Sequence, residues 1–137
     1  MFDVVFGHTI LHHLELTVAR DEIYHVLKGG RGYGVFLEPL NHNPAINLFR
    51  RLTPWRRTPT EEPLLFEYLF SFAEPFTQLT HREFYLTALG AFAFLPFRSR
   101  RLFQEILNSL VQLDNILLAR WPGLGKYAWV VVMKLTK

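Results

Sequence analysis

At 137 residues, half of them apolar, the chain has the length of one ordinary domain and enough hydrophobic surface to close a core. Its 15 Lys and Arg stand against 12 Asp and Glu for a formal net charge of +3, too mild a bias to mark nucleic acid as a partner. The absence of cysteine excludes disulfides, thiolate zinc sites and a cysteine nucleophile, and it fits a reducing cytoplasm.

Phe2, Val4, Val5 and Phe6 open the chain as a β-rich run without polar alternation, closed by Gly7. That pattern predicts a strand over 2–6 covered on both faces. The run carries no basic region ahead of it and no small-residue cleavage site behind it, so a secretory leader is not expected. A helix is predicted to follow, capped by Thr17, with Asp21 and Glu22 in its early turns and Ala19, Ile23, Val26 and Leu27 along one face. Gly29 and Gly30 should stop it after Lys28 with a left-handed turn. GYGVFLEPL, from Gly32 to Leu40, is a second strand ending at Glu38 and Pro39. Strand, helix and strand in this order predict parallel strands joined by a crossover helix.

From Asn41 to Pro63 the chain turns polar and proline-punctuated, around a short helix near 45–52 that carries Ile46, Phe49 and the basic pair Arg50 and Arg51. A second short helix is predicted over 64–72, and the region 76–89 has β character around Phe84, Tyr85 and Leu86. The most apolar stretch, 84–97, is shorter than the roughly 20 residues a spanning helix needs, and it contains Gly90 and Pro96. Apolar residues from Leu102 to Leu118 recur at helical spacing, which predicts a helix over 98–121 ended by Pro122 and Gly123. An apolar strand over 127–135 closes the chain.

FDVVFGHTILHHL, followed by a helix running into HVLKGGRGYGVFLEPL, resembles the second half of class I S-adenosylmethionine-dependent methyltransferases. The string EPLNHNPAINLFRRLTPWRRTPTEEPL, and the closing basic helix, aromatic residues and last strand, are similar to a bacterial subgroup of them, of methyltransferase type 11 character. The resemblance implies an α/β fold with a partial Rossmann-like sheet, flanking helices and a helical, proline-rich insertion. In the family the strands run 3-2-1-4-5-7-6 with the seventh antiparallel. The runs at 2–6, 33–37, 76–89 and 127–135 would stand for the fourth, fifth, sixth and seventh. The first three strands have no counterpart here, nor has the glycine-rich turn that makes the family's main cofactor contacts. Gly29 to Gly34 follow a helix and enter a strand, the wrong order for such a cradle.

The implied reading is a single partial domain over 1–137, lacking the cofactor-binding half. Its implied activity is methyl transfer from S-adenosyl-L-methionine to a small or lipophilic acceptor, not performed by this chain alone. The alternative is a non-enzymatic module that binds a partner or a membrane surface.

In open α/β sheets ligands sit beyond the carboxyl ends of the strands. That rim falls on Gly7, His8 and Thr9, and on Glu38 and Pro39. By the resemblance, Gly7, His8 and Thr9 line the methionine end of the cofactor; on the residues alone, Gly7 ends a strand and His8 is a solvated loop residue. His12, with His13 beside it, is a candidate general base, because methyl transfer to oxygen or nitrogen benefits from removing the acceptor's proton. The competing assignment packs both histidines at the start of the helix. His8 and His12 lack a third ligand and an H-E-x-x-H context, so no metal is expected. Glu38 either orients an acceptor or pairs with Arg50 or Arg51, with His42 four residues beyond it. Glu61 and Glu62 read as a helix start before Pro63.

Two basic groups remain: Arg50, Arg51, Arg56 and Arg57 around Trp55, and Arg98, Arg100 and Arg101 after FAFLPF. Each is either the charged edge of a lid or a binding surface, and peripheral contact with an anionic membrane ranks ahead of nucleic acid. The unpaired edge of the first strand is a site for self-association or for a complementing chain. The expected location is the cytoplasm, with a peripheral position at the membrane as the alternative.

Overall fold

β-branched and aromatic residues set the first strand, β1 (Val4–His8), and β2 (Tyr33–Pro39) lies parallel beside it, with Val4 opposite Tyr33 and His8 opposite Leu37. Two further strands, β3 (Gln78–Phe84) and β4 (Val130–Thr136), complete a sheet of order β1-β2-β4-β3 in which β4 runs antiparallel to both neighbours. The helices are α1 (Leu16–Val26), α2 (Pro44–Leu52), α3 (Tyr68–Ala73) and α4 (Arg100–Arg120). A mixed α/β architecture with a four-stranded mixed sheet and flanking helices is therefore present. The computed structural model describes residues 1–53, 55 and 63–137. Arg56, Arg57, Glu61 and Glu62 lie outside the described residues.

Alternation along the strands sorts the sheet into two unequal faces. Gly34, Phe36 and Glu38 of β2 are buried together with Val131, Met133 and Leu135 of β4. Helices α1 and α3 cover this face, and Phe72 meets Phe36 edge-on with ring centroids 6.4 Å apart, as Tyr24 meets Phe76 at 5.4 Å. Each large apolar side chain so removed from water contributes about 1.5–3 kcal/mol, which places the core on this side.

The opposite face is half open. Val35, Leu37, Val130 and Val132 are only partly buried, and Phe6 of β1 is 70% exposed. The two-sided cover expected of the first strand does not hold. An apolar run has the same pattern whether or not a second layer reaches it, and β1 sits at the end of the sheet with β2 on one side only. The strand is also displaced toward the carboxyl end, so Gly7 lies inside it, while Phe2 forms a separate bridge with Leu27.

Helix α1 begins two residues earlier than a Thr17 cap would set it. The Glu15 carboxylate is the cap, accepting the N–H of Thr17 at 3.1 Å and of Val18 at 2.7 Å. The helix ends at Val26, because Leu27 turns extended to pair with Phe2; the left-handed turn comes later, at Gly30 with φ 77°. Helicity in the 64–72 region starts only at Tyr68, since Leu64 pairs with Leu40. The strand character around 76–89 is confined to β3, and β4 starts at Val130 after a 3-10 turn over Pro122–Tyr127.

Helix α4 forms nearly where its apolar period predicts, but its periodic residues are not core. Its buried residue is Asp114, whose carboxylate accepts the backbone N–H of Leu86, Thr87 and Ala88 and the Thr87 hydroxyl. That contact ties α4 to the start of a 3-10 segment, Ala88–Phe97, which takes up most of the apolar stretch. Among the described residues no helix is long and apolar enough to cross a membrane.

Candidate functional site

Strand β2 carries Glu38 to its carboxyl end on the covered face, where the side chain is fully buried. Burying a carboxylate is costly unless its oxygens are hydrogen-bonded. Here Oε1 accepts the N–H of Ile10 at 2.9 Å and of Leu11 at 2.8 Å, and Oε2 lies 2.7 Å from Nδ1 of His12. The loop after β1 supplies all three partners, folding back over the end of β2. With Oε1 engaged by two donors, Nδ1–H of His12 donates to Oε2, so that in the neutral ring the lone pair is on Nε2.

Among the described residues Nε2 has no protein partner. Since no buried side-chain nitrogen or oxygen among the described residues lacks one, Nε2 is reached from outside. The His12 ring lines a cleft of about 770 Å³, walled on one side by the turn Leu11–His13 and the start of α1, and on the other by residues 63–65 and α3. Polar groups from both walls converge there: His13, Thr17 and Arg20 from one, Asn41 and Tyr68 from the other side. The His13 ring lies tilted against His12 with centroids 4.1 Å apart, and Arg20 is fixed by its Nε bond to Asp21 at 2.8 Å. Glu15 also lines the cleft, and the Val18 and Thr17 amides hold its carboxyl below the usual carboxylate range. Volume and lining suit a small molecule with both apolar and polar parts.

The structure brings His12 and Glu38 together as one unit. The pairing of Glu38 with Arg50 or Arg51 does not form: Arg50 donates to Asn47 at 3.1 Å, and His42 lies 3.3 Å from Glu67. His8 ends β1 and Thr9 follows it at the rim, both apart from the cleft lining, with Thr9 Oγ1 3.1 Å from Nδ1 of His8. Thr9 has φ 48°, a left-handed conformation that a β-branched residue adopts at a cost of about 1–3 kcal/mol. Its N–H, donated to Leu37 at 2.8 Å, holds it there. Gly7 is buried, and a Cβ at that position would come within 2.5 Å of the Phe36 ring, so its bare Cα lets the core close beneath the rim. Sequence reasoning missed Thr17, Arg20, Asn41 and Tyr68 as lining residues. The available signal was spacing: Thr17 and Arg20, like Tyr68 and Ser71, are polar positions three apart on one helix face.

No protein-family model matches the chain, and no curated protein matches it.

Proposed function

We propose that the chain forms the acceptor-side, carboxyl-terminal part of a methyltransferase that uses S-adenosylmethionine, with a small or lipophilic acceptor in the cleft. The observation that carries this reading is the His12–Glu38 dyad, a buried carboxylate holding an imidazole in the lining of a cleft of ligand size. Glu38 fixes the ring and its tautomer; His12 takes the acceptor's proton as the acceptor becomes a nucleophile. The sheet supports the same reading. Strands four, five, seven and six of the family lie side by side with the seventh antiparallel, the order and directions of β1, β2, β4 and β3.

The bound cofactor would supply an electrophilic methyl group. On this reading His8 and Thr9 are its contacts at the rim, with Gly7 setting their height above the core. The family's glycine-rich turn is not among these residues, so the chain by itself is expected to bind acceptor without transferring a methyl group.

4-Nitrophenol, a lipophilic acid with a yellow phenolate, tests the dyad. Adding the chain at neutral pH should raise phenolate absorbance above that in buffer. Glu38→Gln, which would place the ring hydrogen on Nε2, should reduce the rise while the fold persists. Equal absorbance with the unaltered chain and with His12→Gln would overturn His12 as the base. Calorimetric titration with S-adenosylmethionine should show only heat of dilution, and micromolar binding would overturn the assignment to the acceptor side alone.

A further inference from the structure

We infer that the 3-10 segment Ala88–Phe97 and the first turn of α4 form a docking surface for an anionic lipid bilayer. Within the segment only Ala88 and Ala91 are buried, while Leu95 is 53% and Phe97 68% exposed. The apolar groups are gathered, with the Phe94 and Phe97 rings 6.1 Å apart. Phe94 and Leu95 share a hollow of about 230 Å³ with Arg98, Arg100 and Phe103, so the apolar and basic groups occupy one place on the surface. Arg98 and Arg100 make no ion pair among the described residues. Arg101, paired with Glu105, still exposes 91% of its side chain.

Charge decides the occupant. No acidic residue lies between Glu83 and Glu105, so the segment and the first turn of α4 themselves carry only cationic charge. A second copy meeting it about a two-fold axis would bring arginines against arginines, which disfavours a symmetric dimer through this patch. An anionic bilayer answers both halves: headgroup phosphates and carboxylates meet the guanidinium groups, and the acyl boundary takes Leu95 and Phe97. The surface is held in place from behind by Asp114, which binds the amides of Leu86, Thr87 and Ala88 at the start of the segment. The inference does not rest on methyl transfer, and His12→Gln is expected to dock like the unaltered chain.

Co-sedimentation with phosphatidylcholine vesicles, with and without phosphatidylserine, is the test. The chain should sediment with the phosphatidylserine vesicles and remain largely in solution with the neutral ones. The double variants Leu95→Ser/Phe97→Ser and Arg98→Glu/Arg100→Glu alter exposed side chains only, and circular dichroism should show both folded. Each should lower the partition coefficient by about tenfold or more, and added salt should weaken the unaltered chain's binding. Equal binding to neutral vesicles, or variants that bind like the unaltered chain, would overturn the inference. So would two other results: a lipid-free oligomer that dissociates on Phe97→Ser, which assigns the patch to a second copy, or a chain that ignores vesicles but retains an oligonucleotide through Arg98 and Arg100.

Discussion

Each carboxylate oxygen of Glu38 is occupied, and that is how an acidic side chain persists with no exposed surface. Replacement by alanine strands two backbone donors and an imidazole in the core, so Glu38→Ala should cost about 3–5 kcal/mol in urea denaturation. Glu38→Gln should cost much less, because its carbonyl still accepts backbone N–H and its amide can meet Nδ1. Equal losses for the two would show that volume, not hydrogen bonding, sets the role of this position. Asp114 follows the same logic on the far side of the molecule, where one carboxylate gathers three amides and a hydroxyl. Both residues of the dyad stand out in the sequence, Glu38 as a charge ending an apolar strand and His12 as a histidine beyond another. Their union does not, because the bond joins positions 26 apart and depends on how the loop folds over β2.

At the scale of elements, α1 depends on an acid at its start. The Glu15 carboxyl lies below its ordinary value of 4.5, chiefly through the Val18 amide and then that of Thr17. A folded value below the unfolded one means the cap's contribution is complete above pH 4.5 and is lost as the pH falls through the lower folded value. Helicity of α1 should therefore decline in acid, and Glu15→Gln should flatten that part of the profile; an acid titration followed by circular dichroism measures both. The helices and strands were largely legible from their periods, but their ends were not. Thr17 had the chemistry of a cap and lost to Glu15, and Lys28 fell outside α1 because Leu27 found a strand partner. Helix α4 shows the other limit: a period of apolar residues identifies a helix without saying whether anything covers it.

For the whole molecule, the open side of β1 is the main consequence of the sheet order. Its outer backbone edge has no strand beside it among the described residues, and Phe6 stands exposed on the adjoining face. Such an edge favours strand addition, so sedimentation velocity should show association that grows with concentration. Phe6→Lys should shift the profile toward the monomer, and unchanged profiles would show the edge to be inert. What the sequence by itself determined is local: apolar runs that become strands, helical periods, glycines and prolines that end them, and the chemical types available at the strand ends. Tertiary structure decided which strands are neighbours, that among the described residues one face of the sheet is much better covered than the other, and that His12 meets Glu38 beside a cleft built from α1 and α3. Those outcomes depend on packing between distant segments, where burial and hydrogen-bond satisfaction across the whole chain select one arrangement from several that the same local patterns allow.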